Sequence, residues 1–98
     1  MYLRIMESSE GNIVAACDRE LIGKVFREGK LVLDLEKHAG FYRGEICNPE
    51  ALKKAFRGAA SINLVGERSV GCALGEGIAQ KGNILSIGGV PHLQVYRI

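Results

Sequence analysis

Hydrophobic and polar residues alternate at the start of the chain, as in a β-strand with one buried face. In residues 2–6, Leu3 and Ile5 face one side and their neighbours face the other. Residues 13–17 form an uninterrupted apolar run, separated from the first segment by a polar stretch at 7–12. The pattern predicts two strands joined as a hairpin by a six-residue loop.

Short segments follow up to residue 47. Residues 18–23 are predicted to form one helical turn, because Asp18 is a good N-cap and Gly23 a good terminator. Strands are expected at 24–27 and at 31–35, where a leucine recurs at every second position, with a turn at 28–30 between them. A loop at 37–40 leads to a weaker strand at 41–47, which Gly44 loosens.

The period changes to that of a helix after residue 48. Asn48 is a good N-cap and Pro49 suits the first helical position, so a helix begins here. A strand is predicted at 61–65 and a second helix at about 67–80. Gly71 and Gly75 lie one turn apart in that helix, which predicts that another backbone packs closely against it.

A turn at 81–83, a strand at 84–87 and a final strand at 91–98 complete the chain, with Gly88 and Gly89 between the two strands. We therefore predict an α+β fold: a single compact domain over residues 1–98, with a mixed sheet. Strands dominate the N-terminal half and the two main helices lie in the C-terminal half. The strand–helix–strand unit at 61–87 is of suitable length to hold a parallel strand pair.

Charge is distributed unevenly, although the net charge is only +2. Residues 1–47 carry seven Lys or Arg against eight Asp or Glu, whereas residues 48–98 carry six against three. The second half is thus weakly basic, without the dense basic patch of a strong nucleic-acid binder.

Three cysteines, with no C-x-x-C pair, predict buried structural thiols and neither a disulfide framework nor a metal site. The longest apolar run has five residues, far fewer than a membrane span needs, and residues 1–6 lack the pattern of a signal peptide. The sequence therefore predicts a cytoplasmic protein without membrane contact. A chain of 98 residues builds only a modest core, which a homodimer would enlarge.

The first candidate site lies where the 61–65 strand passes into the next helix, at Asn63, Gly66, Glu67 and Arg68. A strand, a glycine and a helix start can present free backbone amides to a phosphate or carboxylate. Arg68 opposes the helix dipole in that first turn, an objection that a bound anion would remove. The alternative is a tight structural turn with Arg68 in solvent or paired to an acid.

The second candidate site is the bend at Gly88, Gly89 and His92. Two adjacent glycines before Val-Pro make a sharp bend that can bring His92 to a strand end. A histidine there can serve acid–base chemistry or bind phosphate. The alternative is that His92 is structural or simply exposed.

The third candidate is a surface for nucleic acid. Lys53, Lys54 and Arg57 form a basic helix face that can hold phosphates. Aromatic and polar residues on strand faces can stack or bind unpaired bases, and the sequence offers Tyr2 and Arg4 on one strand and His92, Gln94 and Tyr96 on another. The alternative is an ordinary solvated outer face, since only six residues are aromatic.

Motifs of common enzymes are missing from the sequence: it contains no H-E-x-x-H, no G-x-S-x-G and no G-x-G-x-x-G. We therefore expect no cofactor and no metal, and the sequence favours a protein that is not an enzyme.

Two segments, Asn63-Leu64-Val65-Gly66-Glu67 and Gly88-Gly89-Val90-Pro91-His92, resemble a family of small archaeal proteins of unknown function. The resemblance extends over essentially the whole chain. It implies a compact single-domain α/β protein of the archaeal cytoplasm, and it supplies no catalytic residues.

Three functional hypotheses remain open. The leading hypothesis is a small module that binds RNA or a ribonucleoprotein, in a role associated with translation. The second is a protein or enzyme that binds a small molecule or phosphate through Arg68 and His92. The third is a structural subunit of an assembly.

Overall fold

A computed structural model describes residues 1–97, and the predicted end of the last strand at Ile98 lies outside the described residues. The first strands, β1 (Tyr2–Ser8) and β2 (Gly11–Cys17), pair antiparallel in one continuous register. The predicted hairpin is confirmed, but its six-residue loop is wrong. Polar residues extend both strands, and the turn contains only Ser9 and Glu10, tightened by the Ser8 hydroxyl, which donates to the Gly11 carbonyl oxygen at 2.6 Å.

Eleven helices and strands make up the described chain, together with single 3-10 turns at Arg19–Leu21 and Lys81–Asn83. After β2 come β3 (Val25–Glu28), β4 (Leu31–Asp34), α1 (Ala39–Tyr42), β5 (Glu45–Ile46), α2 (Pro49–Ala55), β6 (Ala59–Val65), α3 (Glu67–Gly75), β7 (Leu85–Ile87) and β8 (Val90–Tyr96).

Six strands form one sheet in the order β5-β1-β2-β6-β8-β7, and β3 and β4 form a separate hairpin. Among the strands of residues 1–97, only β2 and β6 run parallel; the other neighbours in the sheet are antiparallel. The α+β class, the mixed sheet and the two main helices in the second half are confirmed.

The parallel pair is not the one that we expected at residues 61–87. Gly88 and Gly89 both have positive φ, 58° and 82°, so they form a two-residue turn that brings β8 straight back beside β7. Strand β8 therefore lies between β7 and β6 and pairs antiparallel with both. The parallel partner of β6 is β2, far away in sequence.

The segment at 41–47 is not a strand. It is divided between the short helix α1 and the two-residue edge strand β5. Tyr42 is buried against the sheet, and its ring packs edge-to-face on Phe41 with centroids 5.0 Å apart. This burial stabilises a helical turn over the extended chain that the sequence suggested.

Helix α3 ends at Gly75, earlier than the predicted residue 80. Two backbone bonds close it, from Gly77 N to the Leu74 carbonyl oxygen and from Ile78 N to the Ala73 carbonyl oxygen. The expected close packing at Gly71 and Gly75 is wrong, because both residues are exposed and a Cβ at either position would meet open space.

The sheet is covered on both faces. One face packs against α2 and α3 through a core that includes Val14, Leu52, Ile62, Leu64 and Leu93. The other packs against the β3–β4 hairpin and α1 through a second core, whose buried members include Ala15, Cys17, Leu35, Tyr42 and Val65.

Candidate functional site

The two glycine-marked strand ends meet in space, at the carboxyl end of β6. The backbone N–H of Gly66 donates to the Pro91 carbonyl oxygen at 2.9 Å, and Val65 pairs with His92 in the sheet. A cavity of about 340 Å³ opens here, lined by Asp18, Glu20, Leu21, Gly66, Glu67, Arg68, Gly89, Val90 and Pro91. The structure thus joins two segments that the sequence could only consider separately.

The amides at the start of α3 already hold a carboxylate, that of Asp18. Asp18 Oδ2 accepts from Arg68 N at 3.0 Å, and Oδ1 accepts from Ser69 N at 2.9 Å and from the Ser69 hydroxyl at 2.8 Å. Asp18 is buried, and it caps α3 rather than the 3-10 turn that follows it in sequence. These donors are not available to a ligand while the Asp18 side chain binds them.

Gly66 allows this contact because it has no side chain. Its φ is 104°, and a Cβ on it would lie 2.7 Å from the Asp18 Cβ. Gly66, which was predicted to help bind an external anion, therefore allows the Asp18 carboxylate to approach the start of α3.

Arg68 lines this cavity but His92 does not, so the two side chains do not meet there. His92 Nε2 lies 3.0 Å from Asn63 Oδ1, which also accepts from the Tyr42 hydroxyl at 2.5 Å. Because Oδ1 is an acceptor, the neutral ring carries its proton on Nε2 and leaves Nδ1 as an acceptor. His92, Asn63 and Tyr42 thus form a polar cluster on the face covered by α1 and the β3–β4 hairpin.

Burial governs the acid–base properties of this second face. It lowers the pKa of His92 below the ordinary value of 6.5, and it raises the pKa of the Tyr42 hydroxyl. Burial, followed by the charge of neighbouring Asp18, raises the pKa of the Cys17 thiol to about 12. These groups are held neutral, which suits a structural role at neutral pH.

Gly88 has a packing role in addition to its place in the β7–β8 turn. Its N–H donates to Glu28 Oε1 at 3.0 Å, and a Cβ on it would lie 3.1 Å from the Arg27 carbonyl oxygen. The turn therefore contacts the β3–β4 hairpin directly.

The predicted basic residues line a cavity of their own, of about 310 Å³. Lys53 and Lys54 belong to α2, but the helix ends at Ala55, so Arg57 lies in the turn after it and the prediction of one continuous helix face is wrong. The structure adds a fourth cation to them, since Arg97 follows β8 and reaches the same cavity. Arg97 Nη1 donates to the Phe56 carbonyl oxygen at 2.9 Å, which fixes the guanidinium there. The complete lining is Glu50, Lys53, Lys54, Phe56, Arg57, Glu76, Ile78 and Arg97.

A third region follows the open edge of β1 beside β5. Strand β5 pairs with β1 only at Tyr2 and Leu3, and a groove of about 540 Å³ lies next to the remaining edge. The side chains of Ile5 and Ile46 are exposed there, at 50% and 62%.

Comparison with family models identifies the chain. A model described as a protein of unknown function, DUF424, matches residues 6–98. The chain belongs to the DUF424 family.

A solved relative has the same fold as this DUF424 chain. It is the crystal structure of an uncharacterized conserved protein from Methanopyrus kandleri, 26% identical, with a TM-score of 0.83. The alignment covers 99% of this chain and 90% of that one. Comparison with curated proteins gives no match.

Within residues 1–97, no three His, Cys, Asp or Glu side chains are grouped to hold a metal ion. No helix in this range has the length and apolarity to cross a membrane.

Sequence reasoning missed three contributors to these sites: Asp18 as the cap of α3, Tyr42 as a partner of Asn63, and Arg97 as part of the basic cavity. The sequence marked Asp18 only as a polar residue directly after an apolar strand, which does not indicate the helix that it caps. Tyr42 and Arg97 carried no signal, since each reaches its partner across a long sequence separation.

Proposed function

We propose that this chain is an archaeal, cytoplasmic RNA-binding module that contacts phosphates through the α2 cavity. The observation that carries the proposal is the convergence of Lys53, Lys54 and Arg57 with Arg97 around one cavity. Four cations face two carboxylates there, so the cavity favours an anion with several charges.

Phosphates of a nucleic-acid backbone fit this arrangement. Cations that gather at the end of α2 and after β8, without a buried counter-charge among them, give electrostatic binding with little sequence preference. The three free cysteines support a reducing compartment, and the relative from Methanopyrus kandleri supports an archaeal source.

The test is binding of a labelled single-stranded RNA at 50 and 200 mM salt, followed by fluorescence anisotropy. Replacing Lys53, Lys54 and Arg57 together by Gln should lower affinity at least tenfold. It should also reduce the slope of log K against log salt by about 2, since each single-strand phosphate contact contributes roughly 0.7.

A matched control removes the same three charges from the opposite side of the sheet, as Lys24→Gln, Arg27→Gln and Lys30→Gln. All three residues are exposed. Equal loss in both triple variants would show that only net charge matters. Undetectable binding by the wild-type chain at 50 mM salt would refute the proposal.

A second candidate function, recognition of a small anion by Arg68, is favoured by the cavity at the joined strand ends. Titration with inorganic phosphate and nucleotides, followed by NMR, tests it. Shifts of the Glu67, Arg68 and Gly89 amides that disappear in Arg68→Gln would support it. The His92 cluster should not respond, because its imidazole is bound to Asn63 instead.

A third candidate, an assembly subunit or homodimer, is favoured by exposed Ile5 and Ile46 beside the open β1 edge. Light scattering across a concentration series measures it. A dimer that Ile5→Lys converts to a monomer would support this role, and a wild-type monomer at high concentration would exclude the homodimer.

A further inference from the structure

Tyr96, the last residue of β8, is an aromatic side chain that the fold leaves open. It is 73% exposed, which is the highest value among the large hydrophobic side chains of residues 1–97. It pairs with Ser61 across the sheet and lines a cavity of about 370 Å³. The cavity also contains Ser8, Glu10, Ile13, Ala60, Ser61 and Arg97.

Arg97 connects this cavity to the basic one, because it lines both. Successive strand residues point to opposite faces, so Tyr96 and Arg97 project to the two sides of the sheet. The backbone N–H of Arg97 donates to the Ala60 carbonyl oxygen at 2.8 Å, and its side chain is held by Phe56. Arg97 therefore lies at the boundary between the two cavities, with its guanidinium bound on the α2 side.

The two cavities differ in chemistry. The α2 cavity has an excess of cations and suits phosphate. The Tyr96 cavity has an aromatic ring, two serine hydroxyls and the Glu10 carboxylate, which repels phosphate but can accept hydrogen bonds from base amino groups. A neutral, planar group with polar edges fits the second cavity best.

We propose that single-stranded RNA crosses the protein at Arg97, with its phosphates in the α2 cavity and one base stacked on Tyr96. This inference rests on the proposed function and specifies its substrate class. An unpaired base can leave its own stack and lie on an aromatic ring, whereas a base in a duplex cannot.

The first experiment compares Tyr96→Ala and Tyr96→Phe in the anisotropy assay with a mixed-sequence single-stranded 12-mer and with its duplex. We expect Tyr96→Ala to weaken single-strand binding about 5- to 100-fold, and Tyr96→Phe to remain within about twofold of wild type. The salt slope should not change, because Tyr96 contacts no phosphate. Leu85→Ala, at another exposed strand residue, is the control and should bind as wild type does.

The outcomes separate the two proposals. If wild-type protein binds RNA and loses affinity in the α2 triple variant, but Tyr96→Ala binds equally well or duplex binds as tightly as single strand, the Tyr96 inference is wrong and the proposed function stands. If wild-type protein binds no RNA, both fail.

A second measurement does not depend on the folding of a variant. RNA carrying 5-iodouridine is cross-linked to wild-type protein by light, and the adduct is located by mass spectrometry of peptides. The inference expects the adduct at Tyr96. An adduct located only at another aromatic residue, such as Tyr2 or Phe26, would overturn it.

Discussion

At the scale of single residues, Asp18 and Gly66 lie in direct contact. The Asp18 carboxylate satisfies three donors at the start of α3, and it reaches them only across a residue without a side chain. The sequence around each residue does not explain its role, because the hydrogen bonds of Asp18 reach positions about fifty residues away.

Gly66→Ala should destabilise the protein by roughly 2–5 kcal/mol, through backbone strain at positive φ and overlap with Asp18. Chemical denaturation measures the change. Gly77→Ala is the matched control, since its φ is also positive, at 71°, but its Cβ would meet open space. Equal losses in the two variants would show that contact with Asp18 contributes nothing.

His92 should make stability depend on pH. Burial lowers its pKa in the folded protein below 6.5, while the unfolded chain retains the ordinary value. Between the two values the unfolded state binds more protons. Stability is therefore complete above about pH 6.5 and declines as the pH falls from there through the folded pKa.

Thermal melts between pH 7.5 and 5 measure this effect. The decline towards low pH should be shallower in His92→Gln than in the wild type. Parallel curves for wild type and His92→Gln would show that His92 is not the titrating group.

At the scale of elements, α3 contains a glycine that its packing does not require. Gly71 is exposed in mid-helix, and a Cβ there would contact nothing within 4 Å. Gly71→Ala should therefore stabilise the protein by up to about 1 kcal/mol, raising Tm by several degrees.

The control for this substitution is Gly44→Ala, where a Cβ would lie 2.8 Å from the Leu3 carbonyl carbon and stability should fall. A lower Tm for Gly71→Ala would mean that the open space at this face of α3 is occupied in the protein as it exists in solution.

Elements with a local cause were predictable from the sequence. Asn48 and Pro49 define the start of α2 by themselves, and the structure confirms the cap, with Asn48 Oδ1 accepting from Ala51 N at 2.9 Å. Gly88 and Gly89 likewise define their turn. The neighbour of β6 was not predictable, because strand order depends on which distant segments share a core, and local patterns do not encode it.

The candidate site was only half predictable for the same reason. The sequence indicated Gly66, Arg68 and His92, and the structure joins their backbones at the end of β6. It also separates the side chains of Arg68 and His92. Side-chain direction depends on strand register, which the sequence did not specify.

At the scale of the whole molecule, the two faces of the sheet are not covered equally. Helices α2 and α3 cover one face, whereas the other is covered by the β3–β4 hairpin, which lies outside the main sheet, and by the short helix α1. Val25, Leu31 and Val32 of that hairpin are exposed, so β3 and β4 bury little apolar surface for their length.

Native-state hydrogen exchange should therefore show that β3 and β4 open at lower free energy than β2 and β6. Isolated two-stranded hairpins are marginal in water, and this one is held only by its inner face and by contacts such as Glu28 to Gly88. Exchange of β3–β4 amides at the same free energy as those of β6 would contradict this and indicate one cooperative unit.

The contact between Asp18 and Gly66 also constrains how this sequence can diverge. A side chain gained at position 66 needs a smaller residue at position 18, yet a smaller residue leaves the first amides of α3 without an acceptor. Each single change passes through a less stable intermediate, so the two positions should vary together or not at all across relatives. The pair is therefore a marker by which distant members of the family can be aligned.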